Sequence, residues 1–177
     1  YILIRISKGK EDRARIAERY GTSDVERKKG KVIWFHAASI GESLSILPLL
    51  SKLNSDKSID QIILTTGTLT SANILKSKLS KKIIHQYIPF DIPSYVNKFL
   101  NHWDPSLAVF VESEIWPNFL TELKKRNINS LIVNGRMTIK SFKRWSILNG
   151  LSKRLFSNFS ACCTQNSDSA FFYEKLG

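Results

Sequence analysis

Short apolar runs alternate with amphipathic helical stretches along the whole chain, and this alternation restricts the fold more than any other feature. Runs rich in β-branched and aromatic residues occupy residues 32–36, 61–66, 83–88, 107–111, 130–133 and 160–164. Between them, apolar residues recur at i, i+3, i+4 and i+7, the spacing of one helix face. Val96, Phe99, Leu100 and Trp103 make one such face, and Trp116, Phe119, Leu120 and Leu123 another. Trp145, Leu148, Leu151 and Leu155 lie on one side of a longer basic helix. A helix opening at Glu42 turns Ile46, Leu50 and Leu53 inward, with Pro48 either kinking it or sitting in a tolerated early turn. Shorter helices are expected over 71–79 and 168–176, and KGKEDRARIAERY (8–20) reads as a polar, basic helix stopped by Gly21. Strand and helix alternating through short connections predict an α/β fold, a Rossmann-like, doubly wound parallel sheet. The continuous apolar run 107–111 suits a parallel strand covered on both faces. No internal repeat, low-complexity tract or Gly/Ser linker interrupts the pattern.

A chain of 177 residues fits one domain, or one half of a larger enzyme. It ends after a last helix with no closing element of its own, so a fragment is expected. No run of about 18 or more apolar residues occurs, so no transmembrane helix is expected within it. No signal peptide with a cleavage site is visible. Tyr1-Ile2-Leu3-Ile4 is apolar but short, either the tail of a removed anchor or a strand. Twenty-seven Lys and Arg against 15 Asp and Glu give a net charge of +12. Such an excess points to an anionic partner, or to the sum of solvated Lys-rich helix faces. Nucleic acid fits poorly, because the aromatics fall on apolar helix faces rather than interleaving with a basic stripe. Cys162 and Cys163 are adjacent, which disfavours a simple disulfide on a strand, and no Cys/His spacing suits zinc. Both cysteines are expected to pack as small hydrophobes, in a reducing, cytoplasmic compartment.

In a parallel sheet all strand C-termini share one edge, and ligands of open α/β sheets bind beyond it. The polar residues following the strands are His36, Ser39 and Glu42; Thr65, Thr66 and Thr68; Asp91; Glu112 and Glu114; Asn134 and Arg136; Thr164 and Gln165. Such a rim suits a polar, hydroxyl-bearing substrate. The first turn puts Glu42 at a helix N-terminus and lacks both common phosphate-loop signatures, so a nucleotide is not expected there. Two readings compete for Glu42. Ser39-Ile40-Gly41-Glu42 is S-x-x-E, a helix capping box. Alternatively Glu42 is a catalytic acid or base, which requires burial to offset the helix dipole. Glu112 likewise reads either as a rim acid or as a cap for the next helix, with Ser113. Arg136 is either a rim cation or a partner of these acids, and His36 is either a rim group or a core histidine bonded to backbone. For the tryptophans, core packing is expected rather than sugar stacking. Metal binding by Glu112 and Glu114 has only a weak i, i+2 signal behind it.

The run His36-Ala37-Ala38-Ser39-Ile40-Gly41-Glu42 resembles the H-x-x-S-[VI]-G-E turn of the Kdo transferases, the 3-deoxy-D-manno-octulosonic acid transferases of lipopolysaccharide biosynthesis. Tyr87-Ile88-Pro89-Phe90-Asp91-Ile92-Pro93 is similar to their Y-[LI]-P-[YF]-D-[LI]-P. Glu112-Ser113-Glu114-Ile115-Trp116-Pro117-Asn118 is similar to their E-[TS]-E-[LI]-W-P-N, and Asn134-Gly135-Arg136-Met137-Thr138 to their N-[AG]-R-[LM]-[ST]. The segment 65–70 departs from their T-T-x-T-P-T-G. The resemblance runs from about residue 13 to residue 177.

This resemblance implies the N-terminal half of a GT-B glycosyltransferase, with residues 32–177 as an acceptor-binding Rossmann-like domain and residues 1–31 as a membrane-proximal basic segment. The donor-binding half is absent. The implied reaction is inverting transfer of Kdo from CMP-Kdo to the lipid A precursor, lipid IVA, without metal or other cofactor. Glu42 matches the family's base and Glu112 an acid that stabilises the transition state. Ser39, Gly41, Asn134 and Arg136 fall on motif positions expected to bind substrate. A further lysine of the family's catalytic set lies beyond Gly177. The implied location is the cytoplasmic face of the cell inner membrane, where Lys8–Arg19 and Lys140–Arg154 would meet anionic lipid. The competing reading is a non-catalytic basic module that binds anionic lipid surfaces, and a third is a GT-B relative using another sugar donor.

Overall fold

The computed structural model describes residues 2–177; Tyr1, where the expected anchor tail or strand begins, lies outside the described residues. Ile2–Ser7 forms helix α1 rather than a strand. Six strands, β1 (Val32–His36), β2 (Gln61–Thr66), β3 (Ile83–Tyr87), β4 (Leu107–Val111), β5 (Asn129–Gly135) and β6 (Ala161–Thr164), form one all-parallel sheet in the order β3-β2-β1-β4-β5-β6. The expected Rossmann-like α/β architecture is therefore present, and its topological switch point falls between β1 and β4.

Helices α2 (Ile40–Ser45), α3 (Leu47–Asn54), α4 (Leu69–Leu75), α5 (Pro93–Trp103), α6 (Pro117–Lys125), α7 (Ile139–Ile147), α8 (Asn149–Phe156) and α9 (Ser167–Leu176) flank the sheet. Side chains alternate across a strand, and β1 shows how that divides the core. Val32 and Trp34 enter a cluster with Phe99 and Trp103 of α5, Phe119 and Leu123 of α6, Phe156 of α8 and Tyr173 of α9. Ile33 and Phe35 enter a second cluster with Leu50 of α3 and Leu75 of α4. Trp34 and Trp103 are fully buried, and each indole N–H has a partner: Thr65 Oγ1 at 2.8 Å and Gln86 Oε1 at 2.7 Å.

Several elements differ from expectation. The helix opening at Glu42 is two, joined at Ile46, and Pro48 lies in the first turn of α3, where an N–H has no intrahelical acceptor to lose. The long basic helix also breaks, at Leu148. The helix over 71–79 starts earlier, at Leu69, because Thr68 caps it by accepting from Ser71 N–H. Over 8–20 only Arg13–Tyr20 is helical, as a 3-10 helix with a non-helical Arg15. Gly21 does end it, at φ 82°, and a Cβ there would lie 2.1 Å from the Tyr95 carbonyl oxygen.

This N-terminal segment covers the β3 edge of the sheet. Glu18 Oε2 accepts from Tyr87 N–H, and Arg15 donates to Glu18 and to the His85 carbonyl. Arg19 is buried, pairs with Glu11, and donates to the carbonyls of Gly67 and Ile88 in the turns after β2 and β3. At the opposite edge β6 is open. Cys162 and Cys163 are exposed and free there, contrary to the expectation that they pack in the core; a short edge strand has too little covering structure to bury them.

Candidate active-site crevice

The crevice lies where the chain leaves β1 and β4, adjacent strands whose following helices pack on opposite faces. From β1 the backbone passes through Ala37 and Ala38 to Ser39, the N-cap of α2. Ser39 Oγ accepts from Glu42 N–H at 3.3 Å, and the Glu42 carboxylate turns back to accept from Ser39 Oγ at 2.7 Å and from Ala38 N–H at 2.8 Å. The capping-box reading of S-x-x-E is thus correct in form. Glu42 is also buried, at 9% exposure. Burial raises its pKa above the ordinary glutamate value, the bonds from Ser39 and Ala38 work against that, and the charges of Glu114 and Glu112 add to the rise. The net effect is upward, so desolvation outweighs the cap. Gly41 has nothing but Ser39 Oγ, 4.0 Å away, in the space a Cβ would take, so its missing side chain leaves the first turn of α2 bare.

From β4 the chain enters Glu112, which adopts φ 59°. A left-handed glutamate is uncommon and strained, and such residues concentrate at functional sites. Its backbone is held on both sides: Glu112 N–H donates to the Val133 carbonyl at 3.0 Å, and Tyr173 OH donates to the Glu112 carbonyl at 3.2 Å. Ser113 does not cap a helix; its hydroxyl donates to the Arg136 carbonyl and ties the turn after β4 to the turn after β5. Asn134, the matching residue near the end of β5, is also left-handed, at φ 55°. Asn134 and Arg136 are exposed, and among the described residues no ion pair engages the Arg136 side chain.

Glu114 points back towards β1. Its Oε2 lies 3.3 Å from His36 Nε2 and accepts from Trp116 Nε1 at 2.8 Å. Burial raises the Glu114 pKa, but the His36 bond and charge and the Trp116 bond lower it further, so it lies below the usual glutamate value. His36 is a fully buried histidine that reaches both the sheet interior, at Thr65, and the rim, at Glu114.

The structure withdraws other residues from the expected rim. Asp91 is an N-terminal cap for α6: its carboxylate accepts from Asn118 N–H and Phe119 N–H, each at 3.0 Å. Burial raises its pKa despite those bonds. Thr65 and Thr66 are fully buried, and Thr68 caps α4. Thr164 Oγ1 is turned to the Asn166 carbonyl, 3.3 Å away. Glu42, Glu112 and Glu114 are left gathered at the switch point, with Asn134 and Arg136 beside them at the end of β5. Among the described residues no three His, Cys, Asp or Glu side chains converge as a metal ion requires. The pairing of Glu114 with His36 was not readable beforehand; 78 residues separate the partners, and no local pattern links them.

A family model described as 3-deoxy-D-manno-octulosonic-acid transferase (kdotransferase) matches residues 14–177. A 3-deoxy-D-manno-octulosonic acid transferase of Rickettsia bellii is 37% identical over 176 residues, covering 99% of this chain and 42% of the relative. A probable mitochondrial 3-deoxy-D-manno-octulosonic acid transferase of Arabidopsis thaliana is 37% identical over 162 residues, 90% of this chain and 36% of the relative. The corresponding transferase of Haemophilus influenzae is 32% identical over 166 residues, 93% of this chain and 39% of the relative. The chain thus spans about two fifths of the length of these relatives. With its Rossmann-like sheet, its acids gathered at the switch point and this likeness along nearly all of its length, the chain belongs to the 3-deoxy-D-manno-octulosonic acid (Kdo) transferase family.

Proposed function

We propose that this chain is the acceptor-binding half of a GT-B Kdo transferase, and that the whole protein moves Kdo from CMP-Kdo to a lipid A precursor, lipid IVA, with inversion. Glu42 carries the reading: a carboxylate at the switch-point crevice, buried enough to hold a proton more tightly than a free glutamate, with no cation paired to it among the described residues. A general base works best when its proton affinity is raised towards the working pH. Glu42 takes the proton of the acceptor hydroxyl as that oxygen attacks the anomeric carbon of Kdo. The new C–O bond forms, the bond to the phosphate oxygen of CMP breaks, and the electron pair leaves with CMP. Glu112, at the same crevice, offers negative charge to the oxocarbenium-like centre. Ser39 fixes the Glu42 carboxylate, and bare Gly41 lets the acceptor approach the backbone of α2. Asn134 and Arg136 supply an amide and a guanidinium for the hydroxyls and phosphate of the acceptor. CMP-Kdo would bind mainly to the half that follows this one.

The same reading has the protein work at the cytoplasmic face of the cell inner membrane, peripherally or through an N-terminal anchor. Helices α7 and α8 support this. They carry Lys140, Lys143, Arg144, Lys153 and Arg154 and no acid, while Ile139, Ile147, Leu148 and Leu151 remain 61%, 82%, 49% and 60% exposed. Basic and apolar groups on one surface suit an anionic bilayer. Arg15 and Arg19 are already paired within the protein, which leaves exposed Lys8, Lys10 and Arg13 of the N-terminal segment to join α7 and α8 at the membrane. That surface also favours the second reading, a non-catalytic module that binds anionic lipid.

The deciding test is transfer itself. Full-length protein and its Glu42→Gln variant, each given CMP-Kdo and lipid IVA, are followed by mass spectrometry of the acceptor. Addition by the parent and loss in a folded variant are expected. Equal addition by both would leave Glu42 as a helix cap only. No addition by a folded parent that still binds vesicles would favour the lipid-binding module.

A further inference from the structure

Glu114 has no part in the chemistry above, yet the structure builds a chain of bonds towards it. Trp34 Nε1–H donates to Thr65 Oγ1 at 2.8 Å. Thr65 Oγ1 lies 3.0 Å from His36 Nδ1, and His36 Nε2 lies 3.3 Å from Glu114 Oε2. Trp116 Nε1–H donates to the same carboxylate oxygen at 2.8 Å. The Thr65 carbonyl is also within 3.2 Å of Nδ1, and the hydroxyl within 3.2 Å of the Phe35 carbonyl, so two proton arrangements need weighing. If Nδ1 carried the proton, Nε2 would face the carboxylate with a lone pair unless the ring were charged. A charged ring is costly at a residue that is 0% exposed. A rotatable hydroxyl has one proton to give and room to accept another. With Thr65 Oγ1–H donating to Nδ1, the nearer acceptor, rather than to the Phe35 carbonyl, and Nε2–H donating to Glu114, both ring nitrogens are matched and the ring is neutral. The chain then runs in one direction, from the indole in the sheet interior to the carboxylate at the rim.

We propose that Trp34, Thr65 and His36 form this directed chain to hold Glu114 as a carboxylate beside Glu42, and that Glu114 is a positioning residue for proton transfer from the acceptor to Glu42. The proposal rests on the Kdo-transfer reading for its reaction and on the bond network for its mechanism. Two carboxylates in one site resist being ionised together, so an ionised Glu114 strengthens the hold of Glu42 on the proton it accepts. Glu42 meets the Ala38 N–H and the Ser39 hydroxyl of its own turn, and the charges of Glu114 and Glu112, from beyond β4, act on it. The groups that face Glu114 are the His36 imidazole, through Nε2, and the Trp116 indole N–H. Thr65 and His36 act only through Glu114.

The test uses full-length protein with carbon-13-labelled glutamate, the Glu42 side-chain resonance being assigned by its loss in Glu42→Gln. In Glu114→Gln the Glu42 titration midpoint is expected to move to lower pH, and Glu114→Asp is expected to return most of the shift. Thr65→Val removes the hydroxyl without changing shape and is expected to move the midpoint the same way. Where transfer is measured, Glu114→Gln should lower kcat on the order of tenfold with KM nearly unchanged, and its acid limb should move with the midpoint. A folded Glu114→Gln protein whose Glu42 midpoint matches the parent would overturn the proposal. Should that variant not fold, nitrogen-15 spectra of the parent imidazole decide: Nε2 protonated and Nδ1 bare supports the chain, and Nδ1 protonated sinks it. A parent that transfers no Kdo but shows the shifts would remove the reaction and leave the Glu114 effect on Glu42 standing.

Discussion

Glu42 is both a helix cap and a buried acid, and the two roles pull its proton affinity in opposite directions. Because the folded-state pKa is raised, the folded protein binds the Glu42 proton more tightly than the unfolded chain does. Its contribution to stability is therefore present at low pH and lost as pH rises through the folded value. The stability of Glu42→Gln relative to the parent should accordingly improve from pH 4 to pH 7, as read by denaturant unfolding at each pH; a flat or falling difference would mean that the cap, not burial, dominates. Ser39→Ala removes the N-cap of α2 and one bond to the carboxylate. It should cost about 1 kcal/mol in the same measurement and move the acid limb of Kdo transfer to higher pH, since the lost bond favoured the ionised form. The cap was legible in S-x-x-E. The burial was not, because a local pattern does not report what packs around a side chain.

Helix α5 keeps its expected face, whereas the face expected over 145–155 is lost where the helix breaks, with Leu148 and Leu151 exposed. Periodicity reports which side of a helix is apolar, and Val96, Phe99, Leu100 and Trp103 are all buried in α5 as their spacing requires. It is blind to breaks that capping decides, such as those at Ile46 and Leu148. Helix α6 has no side-chain cap of its own, and Asp91 supplies one from the turn before α5. Asp91→Ala leaves two backbone N–H groups without that acceptor and should destabilise the protein by about 2 kcal/mol, measured by chemical denaturation. The motifs containing Asp91 and Trp116-Pro117-Asn118 thus explain each other structurally. Arg19 does similar work for the turns after β2 and β3. Arg19→Met would leave Arg5 as the remaining ion-pair partner of buried Glu11 and take the donors from the Gly67 and Ile88 carbonyls; it should cost about 3 kcal/mol, whereas exposed Lys8→Met should be nearly silent. Arg19 looked like one more charge on a basic helix, since its partners at Gly67 and Ile88 lie far along the chain.

For the whole molecule, the switch point between β1 and β4 makes one crevice out of turns remote in sequence, while α7 and α8, the two helices between β5 and β6, present basic and apolar groups to solvent. Full-length protein should bind anionic vesicles through that surface. Lys140→Glu and Lys143→Glu should each weaken binding at least roughly fivefold at low salt, and neutral vesicles or high salt should abolish most of the difference. Binding indifferent to these changes would move the contact elsewhere. The sequence by itself determined the strands, the helix faces before β5, the parallel α/β class and the motif residues, because local periodicity and short connections carry that information. Only the tertiary structure decided which rim residues stay at the crevice. Burial and long-range bonds turned Asp91 and Thr68 into caps, sank Thr65 and Thr66 into the core, and brought the charges of Glu112 and Glu114 to bear on Glu42. Proton affinity depends on what surrounds a carboxylate in space, and the order of residues along a chain does not contain that.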